Sequence, residues 1–132
     1  MPTSMESVLA LIGRWLISLI FVTSAISKIF GWNANVAYMA SKHMHAIPLL
    51  LATALLIELL GSICLITGLA ARAAATVMFL YLVPVTFLLH EFMSTNFQKN
   101  VGIMGGLLMI AAMGPGNFAL DSPGSRAAGS VR

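Results

Sequence analysis

The chain has 132 residues, of which 59% are hydrophobic and only 8% are charged, with a formal net charge of +3. Soluble domains carry about 25% charged residues, so this composition excludes a water-facing globule and predicts an integral membrane protein. The basic residues are scattered near the ends of apolar stretches, as in membrane proteins, which excludes a nucleic-acid-binding surface. The single cysteine, Cys64, excludes a disulfide within the chain.

Four apolar stretches follow one another, and each is predicted to be a membrane-spanning helix. The first three meet the length of ~20 residues that a spanning helix needs. The fourth is shorter and glycine-rich, and it stops at the sequence GPG. The stretches run from Val8 to Phe30, Ile47 to Leu69, Arg72 to His90, and about Asn100 to Met113. The sequence therefore predicts an all-α fold, a four-helix transmembrane bundle.

The first stretch also has some features of a secretory signal, since Arg14 precedes an apolar run and a small-residue TSAIS segment. Two features favour a spanning helix instead. The segment before Arg14 is already apolar from Val8 onward, and Glu6 interrupts the basic start that a signal requires.

The connections complete the predicted organisation. Trp32 and Tyr38 follow the first stretch and favour the headgroup region, and a short interfacial helix is expected within Val36 to Ser41. The second and third stretches are joined by TGLAAR, which predicts a tight antiparallel hairpin. We expect residues 1–121 to form one membrane domain and residues 122–132 to form a mobile tail.

Four crossings place both chain ends on one side of the membrane. In this arrangement the basic residues divide between the two sides. The side of the termini holds Arg14, Arg72, Arg126 and Arg132, and the other side holds Lys28, Lys42 and Lys99. The small excess predicts that both termini lie in the cytoplasm.

Glu58 is the one acidic residue in the second stretch and falls near its middle. Its neighbours at helical spacing include the small residues Ala54, Gly61 and Ser62, which allow another helix to approach closely. We therefore expect Glu58 to face a stripe on the first helix that carries Arg14 and Lys28, with Arg14 as its partner. Two interpretations remain open: a structural ion pair, or a carboxylate that exchanges protons or binds a headgroup at a quinone, lipid or ion site.

A second polar group is predicted on the side of the membrane opposite the cytoplasm. His90, Lys99 and Asn100 end the third stretch and begin the fourth, on the same side as Lys28. They form either a polar mouth that hydrogen-bonds a quinone carbonyl, or ordinary helix ends anchored among headgroups. His43 and His45 supply at most half of a metal site, so no metal is expected.

Small residues predict where helices pack closely. The candidates are Gly61 in the second stretch and Gly102, Gly105 and Gly106 in the fourth. They are expected to seat helices within the bundle or against a second copy of the chain.

The order and spacing of several segments resemble the DoxX family of small bacterial membrane proteins. The resemblance covers about Gly13 to Asp121 and is carried by GR, SAISKIFG, YMASK, ELLGSICLITGLAAR, TFLLHEF and QKNVGIMGGLLMIAAMGPGNFALD. One departure is Ser24-Ala25, which stands where the family often has a glycine.

The resemblance implies a four-helix bundle in the bacterial inner membrane. It also implies a membrane subunit or accessory of a quinone-linked oxidoreductase, because the founding members are subunits of such complexes. The expected partners are membrane lipid, an oxidoreductase subunit or a second copy, with quinone as ligand and no intrinsic cofactor. No nucleophile with an adjacent base is evident, so catalysis by this chain alone is not expected. The alternative is a non-catalytic assembly factor, scaffold, or carrier of a small solute or lipid.

Overall fold

A computed structural model of the protein describes residues 3–121, and every regular element in that range is an α-helix. The predicted all-α fold is therefore confirmed for this part of the chain, whereas the tail predicted over residues 122–132 lies outside the described residues. The helices are α1 (Ser4–Phe30), α2 (Trp32–Ser41), α3 (Ile47–Thr67), α4 (Ala71–Leu89) and α5 (Thr95–Met113).

The first helix begins four residues earlier than the predicted start at Val8. Thr3 caps it: the Thr3 hydroxyl accepts from the amide of Glu6 at 3.2 Å, and the Glu6 carboxylate accepts from the amide of Thr3 at 2.5 Å. This reciprocal capping box satisfies two amides that would otherwise lack partners. Glu6 is thus a helix-start signal, and the added turn moves the centre of α1 toward the N-terminus.

The last helix also begins before its predicted start at Asn100. The Ser94 hydroxyl accepts from the amide of Phe97 at 3.2 Å and caps the helix, which then starts at Thr95. Lys99 and Asn100 consequently lie inside α5, in its second turn. The short helix expected within residues 36–41 is longer than predicted, because α2 begins at Trp32, directly after α1.

Three helices, α1, α3 and α4, are long and apolar enough to cross a membrane. Most of their side chains face outward, and these include large apolar ones such as Leu19, Leu60 and Leu80. Such an exterior suits contact with lipid chains. Helix α5 has the same length as α4, 19 residues. It begins with polar TNFQKN and does not reach the hydropathy of the other three.

Helix α3 lies at the centre of the packing. It contacts α1 on one side and α4 on the other, α4 packs against α5, and α5 touches α1 to close the arrangement. Helix α2 packs across α3 and α1. Buried apolar side chains from α1, α3, α4 and α5 form one core, which includes Phe21, Leu65, Ala75, Met78 and Leu107.

Two glycines mark close approaches between helices. A Cβ on Gly61 would lie 2.4 Å from Sδ of Met78 in α4, and one on Gly106 would lie 2.7 Å from Cδ1 of Ile17 in α1. Gly68 ends α3 with a φ of 78°, a conformation that glycine adopts without strain. This turn joins α3 and α4 as a tight antiparallel hairpin.

Candidate functional site

Glu58 lies near the middle of α3 on its buried face. That face also carries Leu51, Ala54, Gly61 and Leu65, at the spacing of one side of a helix. Only 3% of the Glu58 side chain is exposed. A carboxylate so far from both helix ends requires polar partners, because an unpaired charge inside a bilayer is costly.

The partner of Glu58 is Lys28 of α1. The Lys28 ammonium lies 2.9 Å from Oε1 and 3.0 Å from Oε2 of Glu58, and 14% of the lysine side chain is exposed. Ser24 lies one turn before Lys28 on the same face of α1, and its hydroxyl accepts from Lys28 at 2.7 Å. The same hydroxyl donates to Oε1 of Glu58 at 3.1 Å. Two residues of one helix thus hold the carboxylate of another.

A third helix completes the cluster. The hydroxyl of Tyr81, in α4, donates to Oε1 of Glu58 at 2.9 Å. Oε1 therefore accepts from Ser24, Lys28 and Tyr81, whereas Oε2 accepts from Lys28 alone. We call Ser24, Lys28, Glu58 and Tyr81 the inner cluster. It joins α1, α3 and α4 by side-chain hydrogen bonds at the level of Glu58.

Arg14 does not belong to the inner cluster, so the expected Arg14–Glu58 pair is wrong. Its guanidinium donates to the backbone carbonyl of Leu65 at 2.7 Å and to that of Phe118. Leu65 lies in the last turn of α3, where carbonyls lack helical partners and carry the negative end of the helix dipole. Arg14 therefore caps the far end of the helix that contains Glu58.

A partly open cavity of about 480 Å³ lies beside the inner cluster. Its volume falls within the ~300–1,000 Å³ range of small-molecule sites. The cavity wall is largely apolar, with residues such as Ile20, Leu51 and Leu82. All four residues of the inner cluster line it, so the ion pair borders a space large enough for a ring-bearing ligand.

The predicted polar mouth borders the same cavity. Its lining includes His90, Lys99 and Asn100, together with Tyr38 of α2. The structure thus brings five of the six predicted polar residues to one cavity and leaves out Arg14. Tyr38 also donates its hydroxyl to the backbone carbonyl of Leu89, which ties α2 to the end of α4.

Burial and two lysines together set the pKa of His90 at the mouth. Burial lowers the pKa of His90, and the nearby ammonium groups of Lys99 and Lys42 lower it further. His90 lies just beyond the end of α4, and its lowered pKa favours the neutral imidazole. In this state the imidazole presents one donor and one acceptor.

Two members of the inner cluster, Ser24 and Tyr81, were missed from the sequence. Ser24 had a detectable signal, because it precedes Lys28 by four residues and so shares its helix face. Tyr81 had a weaker one. An aromatic ring is common in an apolar helix and does not by itself indicate a polar site, although a buried tyrosine hydroxyl ordinarily finds a hydrogen-bond partner.

The predicted packing glycines fall into two groups. Gly61 and Gly106 have side chains of neighbouring helices within contact distance, whereas Gly102 and Gly105 have no atom within 4 Å of an added Cβ in the described part of the chain. Packing of Gly102 and Gly105 against a second copy stays a prediction.

An all-helical fold, apolar spans with an apolar exterior and a buried ion pair beside a cavity define a helical integral membrane protein. The DoxX family pattern matches residues 9–91, and the chain belongs to this family. It is 31% identical over 124 residues to inner membrane protein YphA of Escherichia coli K12, covering 86% of this chain and 89% of that protein. It is 30% identical over 122 residues to inner membrane protein YqjF of the same organism, covering 89% and 92%. No solved structure matches the chain. The chain is thus a DoxX-family inner-membrane protein.

Proposed function

We propose that this chain is a quinone-binding membrane subunit or accessory of a quinone-linked oxidoreductase, with the ligand in the cavity beside Glu58. The observation that carries the proposal is an ion pair between Lys28, in the last turn of α1, and Glu58, near the middle of α3, that borders an apolar cavity of about 480 Å³. Cofactor and substrate pockets combine apolar walls with a few placed polar groups in this way. A quinone ring matches that pattern, since it is apolar except for its two oxygens.

The cavity also reaches the apolar surface of the protein. Three of its lining residues, Leu50 of α3 together with Leu88 and Val85 of α4, are exposed or half-buried. These positions lie on the first turns of α3 and the last turns of α4, where the two antiparallel helices are farthest from their tight connection at Gly68. A ligand dissolved in lipid reaches the cavity there without crossing water, which favours a quinone over a polar solute.

The proposal includes four crossings, with α5 as the fourth span and α2 in the interface. Arg14 and Arg72 lie at the end of the bundle near the first residues of the chain, and Lys28 and Lys99 lie toward the other end. Both termini are then cytoplasmic under the positive-inside rule. Reporter fusions after residue 92 and at the C-terminus distinguish this topology from one with three crossings.

A scaffold role is the second candidate, and the outer face of α5 favours it. Gly102 and Gly105 have no close neighbour in the described part of the chain, and exposed Val101 and Leu108 lie beside them. Small residues of this kind let a second helix approach closely in lipid. The same face suits a partner subunit of an oxidoreductase, so the two functions are compatible.

Titration of a decyl-substituted benzoquinone into the purified protein in nanodiscs tests the proposed function. Trp32 begins α2, the helix that lines the cavity with Asn35 and Tyr38, and Trp15 lies at the opposite end beside Ile66. We expect saturable quenching of Trp32 fluorescence in a Trp15→Phe background. The double variant Lys28→Met/Glu58→Gln removes both charges and should abolish saturation.

The control for this titration is Gly102→Ala, which changes a position outside the cavity and should leave quenching unchanged. A linear, non-saturating response in the parent protein would mean that quinone only partitions into lipid. Equal saturation in the parent and the double variant would place the ligand elsewhere. Either result rejects the proposed site.

A further inference from the structure

The hydroxyl groups that line the cavity have no hydrogen left for a ligand. The Ser24 and Tyr81 hydroxyls donate to Glu58, and the Thr53 hydroxyl donates to the carbonyl of Leu49 at 2.8 Å. The Tyr38 hydroxyl donates to a carbonyl at the end of α4. A hydroxyl has one hydrogen to donate, so all four are already committed within the protein.

The Lys28 ammonium is committed in the same way. It donates to Ser24 at 2.7 Å and to the two oxygens of Glu58 at 2.9 and 3.0 Å. An ammonium group has three hydrogens, and these three contacts account for all of them. The inner cluster therefore offers no free donor to a ligand carbonyl.

Acceptor positions remain free in the inner cluster. The two oxygens of a carboxylate together accept about four hydrogen bonds. Oε1 of Glu58 already receives three donors, but Oε2 receives only Lys28. The cavity wall beside Glu58 thus favours a ligand that carries a hydroxyl hydrogen over one that carries a bare carbonyl.

The mouth of the cavity supplies the complementary group. Asn100 lines the cavity and is only 7% exposed, and its side-chain amide has no hydrogen-bond partner among residues 3–121. The amide borders open space, since the fully enclosed side-chain atoms without a partner in that range belong to Ser7, Arg14 and Ser62. An oxygen of a bound ring satisfies it, because the amide both donates and accepts.

We propose that the cavity selects the reduced, hydroxyl-bearing form of its ring ligand, with one ring hydroxyl donating to Oε2 of Glu58 and a ring oxygen meeting Asn100. This inference rests on the proposed function for the quinone class of ligand and deepens it by naming the redox form. A quinol differs from its quinone by two hydroxyl hydrogens. Glu58 can accept one of them, whereas a quinone would place a bare carbonyl oxygen against the carboxylate. Donors at the mouth, such as Lys99, can serve either redox form, so the preference comes from the Glu58 end of the cavity. Tighter binding of the quinol raises the reduction potential of the bound couple relative to the free one.

Four decyl-substituted probes of similar size test the inference in nanodiscs under anaerobic conditions: the hydroquinone, its dimethyl ether, the quinone and a simple phenol. The hydroquinone should bind about tenfold or more tightly than the ether or the quinone, as expected for a hydrogen bond to a charged group. The phenol should also bind more tightly than the ether. Lys28→Met/Glu58→Gln should abolish these differences.

The matched control is Gly102→Ala, which changes a position outside the cavity with open space around it, so it should keep the preference. Asn100→Leu should weaken binding of the hydroquinone more than binding of the phenol, since of these two only the hydroquinone has a second ring oxygen. These variants separate loss of the named contacts from loss of the fold.

The outcomes distinguish this inference from the proposed function. Equal binding of hydroquinone and ether, or tighter binding of the quinone, would overturn the inference while leaving a quinone site in place. Binding of the hydroquinone and phenol but not the quinone would support the inference and count against a redox role. If none of the four probes binds saturably, both are rejected.

Discussion

Two cations of α1 occupy opposite ends of the bundle and are satisfied in different ways. Arg14, at the end that contains the α3–α4 turn, is 1% exposed and donates to backbone carbonyls. Lys28, at the end that contains the cavity, is 14% exposed and donates to a carboxylate and a hydroxyl. The first cation completes the capping of a helix, whereas the second holds a charged group beside an open space.

The difference lies in what the C-terminal end of α3 and its middle each require in hydrogen-bond partners. Where α3 ends, the carbonyls of Leu65, Ile66 and Thr67 lack helical partners, and they receive Arg14, the Trp15 indole and the amide of Leu120 respectively. Near its middle, the backbone of α3 is already paired within the helix, so a polar side chain there needs side-chain partners. Backbone demand thus accounts for the two terminal nitrogens of Arg14, although its Nε is buried without a partner among the described residues. The position of Glu58 serves no such demand.

The largest expected effect comes from splitting the ion pair. Lys28→Met leaves the Glu58 carboxylate without its cation and should lower the free energy of unfolding by about 3–5 kcal/mol. Glu58→Gln should also destabilise, because Lys28 then lacks its carboxylate. The double variant should recover much of either loss, as a double-mutant cycle in reversible detergent unfolding will show. Additive losses would indicate that the pair does not couple.

Breaking the capped end should give the next largest effect. Arg14→Met leaves two backbone carbonyls without donors, at about 1–3 kcal/mol for each unsatisfied group. Arg14→Lys should rescue only part of the loss, because one ammonium lacks the fork of a guanidinium. Quinone binding should survive both changes in the protein that folds. If Arg14→Met abolished binding without unfolding, the separation of the two ends would be wrong.

A smaller effect is expected where α3 meets α4 between the two ends. Gly61→Ala places a Cβ against the Met78 side chain and should destabilise by about 1–3 kcal/mol. Gly102→Ala, with open space around it, should be neutral or slightly stabilising, because alanine favours helices. The same unfolding assay checks both, and equal effects would contradict the packing described for α3 and α4.

The smallest expected effect is a loss of stability at low pH through protonation of His90 at the cavity end. The pKa of His90 is lowered by burial and then by Lys99 and Lys42, so the folded chain binds this proton less readily than the unfolded chain. The contribution of His90 to stability is therefore present above its unfolded pKa of about 6.5 and is lost as pH falls through the folded value. Histidine NMR should show a low-titrating imidazole whose pKa rises in Lys99→Gln.

Much of the fold could be predicted from apolar lengths alone, because a lipid environment demands long helices. The bounds of α1 and α5 could not, since the caps at Thr3 and Ser94 lie outside the apolar stretches. The capping pattern of Thr3 and Glu6 is present in the sequence, but it is hidden when Glu6 is considered only as a charge. Local polar caps, more than hydropathy, decide where these helices begin.

The candidate site was predicted in part. The small residues around Glu58 indicated a buried face toward α1, yet they could not decide between Arg14 and Lys28. That choice depends on how far α1 is shifted along α3 and on the carbonyls at the end of α3, and neither is visible in the phase of one helix. Tyr81 depended on the packing of a third helix, which the sequence does not encode locally.

Photolabelling with an azido-substituted, alkylated benzoquinone in membranes tests most directly whether the cavity beside Glu58 holds a quinone. Mass spectrometry should place the label on the first half of α3 and the second half of α4, around Leu51 and Leu82. Excess unlabelled quinone should remove it, and Lys28→Met/Glu58→Gln should prevent it. Labelling confined to outward-facing residues such as Leu19 and Leu80, and unaffected by competitor, would contradict the account.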